Sequence, residues 1–207
     1  MQYPVFEHFH SFQGEGVHMG RSAFFIRLAG CPLHCPWCDS AGTWSRDAVP
    51  AAKKMTEEEL AALAVSSHAD FVVITGGEPT IHDLVPLTTA LRARALRIHL
   101  ETCGAFPIVP AFDWVTLSPK RKKLPLAENW AKADELKFII TDADELAFWE
   151  HCFNAAALAQ PFPQCWLHPE WSRAGDPALL ALIADFVRSR GFPWRAGWQI
   201  HKLYNAR

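Results

Sequence analysis

The chain has 207 residues, half of them apolar and a fifth charged, with a formal net charge of -2. That length suits a single domain over 1–207 with a sizeable core, and that charge gives no broad electrostatic footprint for nucleic acid or an anionic membrane. No run approaches the roughly 20 apolar residues of a spanning helix, no basic start leads into an apolar stretch, and the cysteines outside one cluster are scattered, so the expectation is a reducing, cytoplasmic setting with no nucleic-acid or membrane partner.

A first strand over Tyr3 to His10, where Val5 and two phenylalanines mix with histidines, ends at Ser11-Phe12-Gln13-Gly14-Glu15-Gly16, where two glycines let the backbone turn sharply or approach a ligand. Gln13 and Glu15 then stand at a strand end with amide and carboxylate free for recognition, unless the stretch is a plain polar turn. Ser22 to Leu28 is nearly all apolar, as a strand covered on both faces must be. Arg27 interrupts it, and a guanidinium there needs an internal carboxylate or an anionic ligand group reached through a cavity.

Gly30 to Asp39 packs Cys31, Cys35 and Cys38 into eight residues at the spacing CxxxCxxC. Three thiolates on one short loop can converge on a soft metal centre, an iron–sulfur cluster or a thiolate zinc. A structural zinc or an ordinary cubane takes four protein ligands, so three leave one metal corner open. A fourth ligand from His34, Asp39 or distant Cys103 would make a zinc loop, and buried free thiols are the blandest reading. Ser40 to Pro50, polar and containing Trp44, reads as an ordered lid or loop that completes a cluster loop over 29–50.

Thr56-Glu57-Glu58-Glu59 opens a helix with a capping box, and Met55 can pack on Leu60. The apolar strand Phe71 to Thr75 runs straight into Gly76-Gly77-Glu78-Pro79, and paired glycines there expose backbone at the sheet's carboxyl end, where α/β folds bind ligands. A helix over Leu84 to Leu96 is followed by a strand over Arg97 to Glu101 and another over Trp114 to Leu117, the latter ending in Ser118-Pro119-Lys120. The basic run Arg121, Lys122 and Lys123 reads as a solvated loop. A strand over Glu135 to Ile140, a helix from Asp142 to about Ala157 and a strand over Gln164 to His168 come next. Asp176, Pro177 and Gly191 then bound a helix, and Trp194 to His201 is the last strand. The fold class is α/β: a partial, incomplete parallel βα barrel of about six strands, too few for eight-stranded closure. Polar residues recur at the strands' carboxyl ends, at Gln13, Gly76, Glu101, Ser118 with Lys120, and His168, which is how such a fold gathers one site from distant sequence.

The CxxxCxxC loop after the first strands and the strand ending in Gly-Gly-Glu-Pro resemble the motifs of radical S-adenosylmethionine enzymes. The resemblance implies that Cys31, Cys35 and Cys38 hold a [4Fe-4S] cluster, and that the amine and carboxylate of S-adenosylmethionine chelate its fourth iron. Within that superfamily the chain is similar nearly end to end to the 7-carboxy-7-deazaguanine synthase family. The matching residues are Phe12-Gln13-Gly14-Glu15-Gly16, Arg27, Cys38-Asp39-Ser40, Thr75 to Pro79, Glu101-Thr102, Ser118-Pro119-Lys120 and His201-Lys202.

That family converts 6-carboxy-5,6,7,8-tetrahydropterin to 7-carboxy-7-deazaguanine with loss of ammonia, on the way to queuosine and other 7-deazapurines. The resemblance implies an electron from flavodoxin or ferredoxin, a 5′-deoxyadenosyl radical that takes hydrogen from substrate C6, and a homodimer. Carried over by position, Trp37, Cys38, Asp39, Gly77, Glu78, Ser118, Pro119, Lys120 and His168 are expected to contact S-adenosylmethionine. Phe12, Gln13, Gly14, Glu15, Arg27, Thr75, His201 and Arg207, the last closing a tail over 201–207, are expected to hold the pterin, and Ser40 a Mg²⁺ ion. Where the family has Leu-Gln-Pro this chain reads Leu167-His168-Pro169, and the closing Tyr204-Asn205-Ala206-Arg207 also departs from its pattern.

Two other functions share the cysteine loop. A glycyl-radical-activating enzyme would have no use for Gln13, Glu15, Arg27 and a substrate-facing tail. A zinc-binding scaffold or nucleic-acid module would want a second ligand pair or a basic stripe, and the sequence has neither.

Overall fold

A computed structural model describes residues 1–45, 53–156 and 164–207. Their strands form one nine-stranded sheet in the order β3 (Lys53–Thr56), β1 (Gln2–Phe12), β2 (Ser22–Leu28), β4 (Phe71–Gly76), β5 (Ile98–Thr102), β6 (Trp114–Leu117), β7 (Glu135–Ile140), β8 (Gln164–Pro169) and β9 (Trp194–Ala196). From β2 to β9 every neighbour is parallel, while β1 runs antiparallel to β2 and β3. The sheet does not close, so the partial barrel is the architecture found, with seven parallel strands and two antiparallel additions where the sequence suggested about six. The short β3 was not legible because Lys53-Lys54-Met55-Thr56 has little strand character of its own. Pairing of Tyr3 with Met55 creates it.

The helices are α1 (Glu57–Ser67), α2 (Val85–Arg92), α3 (Ala127–Trp130), α4 (Ala143–Ala156), α5 (Pro177–Arg190) and α6 (Ile200–Leu203). The capping box of α1 is present in both directions, Thr56 accepting from the Glu59 amide and Glu59 from the Thr56 amide. Asp176 caps α5 through the amides of Ala178 and Leu179. Helix α2 stops short of the predicted Leu96, because the chain reverses through a left-handed Ala95 to enter β5. The predicted final strand ends early too. At Gly197 the chain passes so close to the His168 ring that a Cβ would lie 2.4 Å from its Nε2, and the backbone turns away into α6. The predicted lid is described only to Ser45, its remainder lying outside the described residues.

Alternation along each parallel strand sorts the side chains. Phe24, Ile26, Leu28, Val72, Ile74, Ile98 and Leu100 join one core under α1 and α2, and Leu136, Phe138, Ile140 and Leu167 join a second under α4 and α5. The residues between them, Phe25 and Arg27 on β2, Thr75 on β4, Glu101 on β5, Lys137 and Ile139 on β7, face the concave side and line a cavity. A two-residue period thus places charge inside the barrel without breaking either core.

Candidate active site

The cysteine loop is fastened before it can bind anything. Gly30 and Cys31 amides donate to Thr43 and Trp44 carbonyls at 2.6 and 2.9 Å, and the Cys38 amide to Cys35 at 3.0 Å. The Gly76-Gly77 turn docks on the same loop, Gly77 N to Leu28 O at 2.9 Å and Glu78 N to Gly30 O at 2.8 Å. A Cβ on Gly76 would sit 2.1 Å from the Leu28 carbonyl and one on Gly77 2.4 Å from the Gly30 carbonyl, so both glycines are required by this approach. Glu78 is spent on the scaffold: its carboxylate accepts from Thr102 Oγ1 at 2.6 Å, Cys103 N at 2.7 Å and Thr80 Oγ1 at 2.7 Å.

Cys31, Cys35 and Cys38 are free thiols packed with Leu33, Trp37, Cys103, Ala105 and Phe106, and all three open onto the cavity. Burial pushes the Cys31 and Cys35 thiols up, although Lys120 pulls on Cys35 in the other direction. Thiolates in such surroundings need a cationic centre to form, as metal binding with proton release provides. Among the described residues no three His, Cys, Asp or Glu side chains close on one point as a single ion requires. A cubane takes each thiolate at a different iron corner, and soft thiolates on one loop are the ligands it selects. The three-cysteine loop therefore fits an iron–sulfur cluster. Beside it, Lys120 Nζ donates to Ser118 O and Oγ, each at 2.7 Å, and lies 5.3 Å from the Trp37 ring centre.

On the same cavity wall Arg27 answers both sequence-level alternatives at once. It pairs with Glu7 at 2.9 Å, donates to Ser40 Oγ at 3.1 Å, and still lines the cavity. Ser40 in turn donates to Asp39 Oδ1 at 3.1 Å. Burial would raise the Asp39 carboxyl, but Lys202, at 3.2 Å, holds it below its usual value. Gly14 and His201 form one unit: a Cβ on Gly14 would overlap the His201 ring, and Ile200 N donates to Gly14 O at 3.0 Å. Gly14→Ala is therefore expected to expel His201 and weaken substrate affinity about tenfold, 1.4 kcal/mol, with an unchanged circular dichroism spectrum. The Arg207 carbonyl accepts from Ser11 Oγ at 2.9 Å, and its guanidinium lies 3.6 Å from Glu7, which brings the tail to the Arg27 end.

Several expectations need correction. Gln13 and Glu15 are not free: Gln13 donates to Glu101 Oε1 at 2.9 Å and accepts from Glu15 N, while Glu15 is ion-paired with Lys137 and accepts from Gln199. A two-glycine turn buried inside a barrel has to satisfy its polar groups internally. Pro119 and His168, expected at S-adenosylmethionine, do not line the cavity. His168 is fully buried behind Gly197 with neither ring nitrogen hydrogen-bonded, and burial lowers its pKa to about 4. A histidine held neutral makes the unfolded chain bind more protons between about pH 4 and 6.5, so stability falls as pH drops through that window. His168→Gln should remove on the order of 3 kcal/mol of that pH dependence, read from urea midpoints at pH 7 and 4.5.

Sequence reasoning missed Lys137, Gln199 and Trp171 on the cavity wall. Lys137 carried the same signal as Arg27, a charge inside an apolar strand.

A family model described as the Radical SAM superfamily matches residues 25–114. A 7-carboxy-7-deazaguanine synthase of Synechocystis sp. is 43% identical over 100% of this chain and 95% of its own length. The Escherichia coli K12 enzyme of the same name is 31% identical over 99% of both chains. The chain belongs to the 7-carboxy-7-deazaguanine synthase family. A crystal structure of QueE from Escherichia coli matches it with a TM-score of 0.82, covering 96% of this chain and 94% of that one. Membership makes the protein a radical SAM enzyme, with a [4Fe-4S] cluster and S-adenosylmethionine as its cofactors. Among the described residues no helix is long and apolar enough to cross a membrane.

Proposed function

We propose that this cavity carries out the reaction of its family, converting 6-carboxy-5,6,7,8-tetrahydropterin to 7-carboxy-7-deazaguanine with release of ammonia, as a step toward queuosine or another 7-deazapurine. The observation that carries the reading is the shared wall: a three-thiol loop hydrogen-bonded to a Gly-Gly turn lines the same cavity as Arg27, Glu15, Glu101 and Lys137. Cys31, Cys35 and Cys38 would hold three corners of the cluster, and Trp37, Asp39, Gly77, Ser118 and Lys120 would surround S-adenosylmethionine. When bound, these cofactors would supply hydrogen-atom abstraction from the substrate held beside them.

The remaining residues orient and charge the substrate. Arg27 meets the pterin carboxylate with a planar fork, and Thr75, paired with it across β2 and β4, stands alongside. Phe12 and Gln13 flank the ring, and His201 closes it against Gly14. A Mg²⁺ ion at Ser40 would draw that hydroxyl away from Arg27 and leave the guanidinium free for substrate, with water and substrate oxygens as the other ligands. Ser40→Ala should then abolish any magnesium stimulation of pterin binding, and unchanged metal dependence would remove this placement. A flavodoxin or ferredoxin as electron donor and a homodimer complete the reading.

Anaerobic incubation of cluster-loaded protein with reductant, S-adenosylmethionine and the carboxypterin tests the reaction by mass spectrometry. The expected result is 7-carboxy-7-deazaguanine with one ammonia per product; an unchanged pterin would refute it.

A further inference from the structure

Lys137 is a cavity residue that the sequence motifs leave unassigned, and its burial demands a reason. Its side chain, 12% exposed, projects from β7 between two carboxylates, ion-paired with Glu15 and 3.7 Å from Glu101 Oε2. An ammonium withdrawn from water costs heavily unless paired and hydrogen-bonded, so a lysine here is not filler. One cation between two carboxylates leaves a negative charge over on this stretch of wall. Gln13 ties the Glu101 carboxylate to the turn that carries Glu15, donating to Glu101 and accepting from the Glu15 backbone amide. Gln199 donates to Glu15 and reaches Asp39 Oδ2 at 3.5 Å. The turn after β1, the strand β5, the cysteine loop and the approach to α6 therefore meet around one ammonium.

We propose that Lys137 is a positioning residue of the substrate site, fixing Glu15 and Glu101 side by side as a wall of hydrogen-bond acceptors for the N–H groups of the reduced pterin. The proposal rests on the reaction assigned above. A pterin ring is rich in N–H donors, and ionised carboxylates are the strong acceptors for them. Burial alone would raise the Glu15 carboxyl, and Lys137, with Gln199, instead holds it well below the usual carboxylate range. Glu15, Asp39 and Glu101 face Lys137 as acids, and Glu135 shares its strand. Lys120, His168 and His201 are the basic groups turned toward it, from the segment after β6, from β8 and from α6. Removing the lysine leaves burial as the dominant influence on Glu15, which would then take up a proton toward neutral pH.

The test uses cluster-loaded wild type, Lys137→Met and Lys137→Arg, with carboxypterin and S-adenosylmethionine affinities measured anaerobically by calorimetry from pH 6 to 8.5. Lys137→Met is expected to lose at least tenfold in pterin affinity, more at pH 6 than at pH 8.5. Its iron content and S-adenosylmethionine affinity should stay within twofold of wild type. Lys137→Arg, which keeps the charge, should bind with the flat pH profile of wild type. The proposal is overturned if Lys137→Met binds pterin like wild type, if it loses iron and both ligands together, or if Lys137→Arg reproduces its affinity and pH profile. Should wild type itself fail to bind the carboxypterin, the assigned reaction falls first and this proposal with it.

Discussion

Arg27→Ala is expected to weaken carboxypterin binding by roughly 30-fold to several-thousand-fold, the 2–5 kcal/mol typical of truncating one partner of a desolvated charge pair, while S-adenosylmethionine cleavage persists. Arg27 sits on β2, one strand from the Gly-Gly turn, and pairs with Glu7 and Ser40 without touching the cysteines. Its loss leaves Glu7 with only the more distant Arg207 as a partner. The substrate carboxylate would then lose its fork. Uncoupled formation of 5′-deoxyadenosine in the presence of reductant, measured beside pterin affinity, separates this from a structural role. Equal loss of both activities would mean that Arg27 only holds β1 to β2.

The largest effect is expected from Cys35→Ala, which should take iron from about four per chain to near none and abolish turnover together with it. Cys35 lies at the centre of the loop, 9% exposed and packed against Leu33 and Cys103. Burial raises its thiol and Lys120 opposes that, so it becomes a thiolate readily only when a metal takes the proton's place. The loop's hydrogen bonds to Thr43 and Trp44 are made by backbone and survive the change, so folding is expected to persist by circular dichroism. An active Cys35→Ala protein would overturn the ligand assignment.

Most of the architecture was legible because strands such as Phe71 to Thr75 are buried throughout and bounded by turn residues, here Gly76. The ligand end of the cavity was legible because its residues fall in local motifs. The pairing of the charged wall was not. Glu101 stood out at a strand end, but only the strand order of the sheet brings Lys137, two strands away, against it. His168 misled in the opposite direction: its place at a strand's carboxyl end pointed to the cavity, yet Gly197 leaves room for the ring to be buried instead. Short β3 and the early end of β9 depended on tertiary pairing that no local pattern carries.

Electron paramagnetic resonance of the anaerobically reconstituted, reduced protein, recorded with and without S-adenosylmethionine, probes most directly whether three sulfurs leave one iron free for that molecule. The account predicts a [4Fe-4S]⁺ signal from a brown protein that changes shape when S-adenosylmethionine is added. A colourless protein carrying one zinc, or an iron signal indifferent to S-adenosylmethionine, would contradict it.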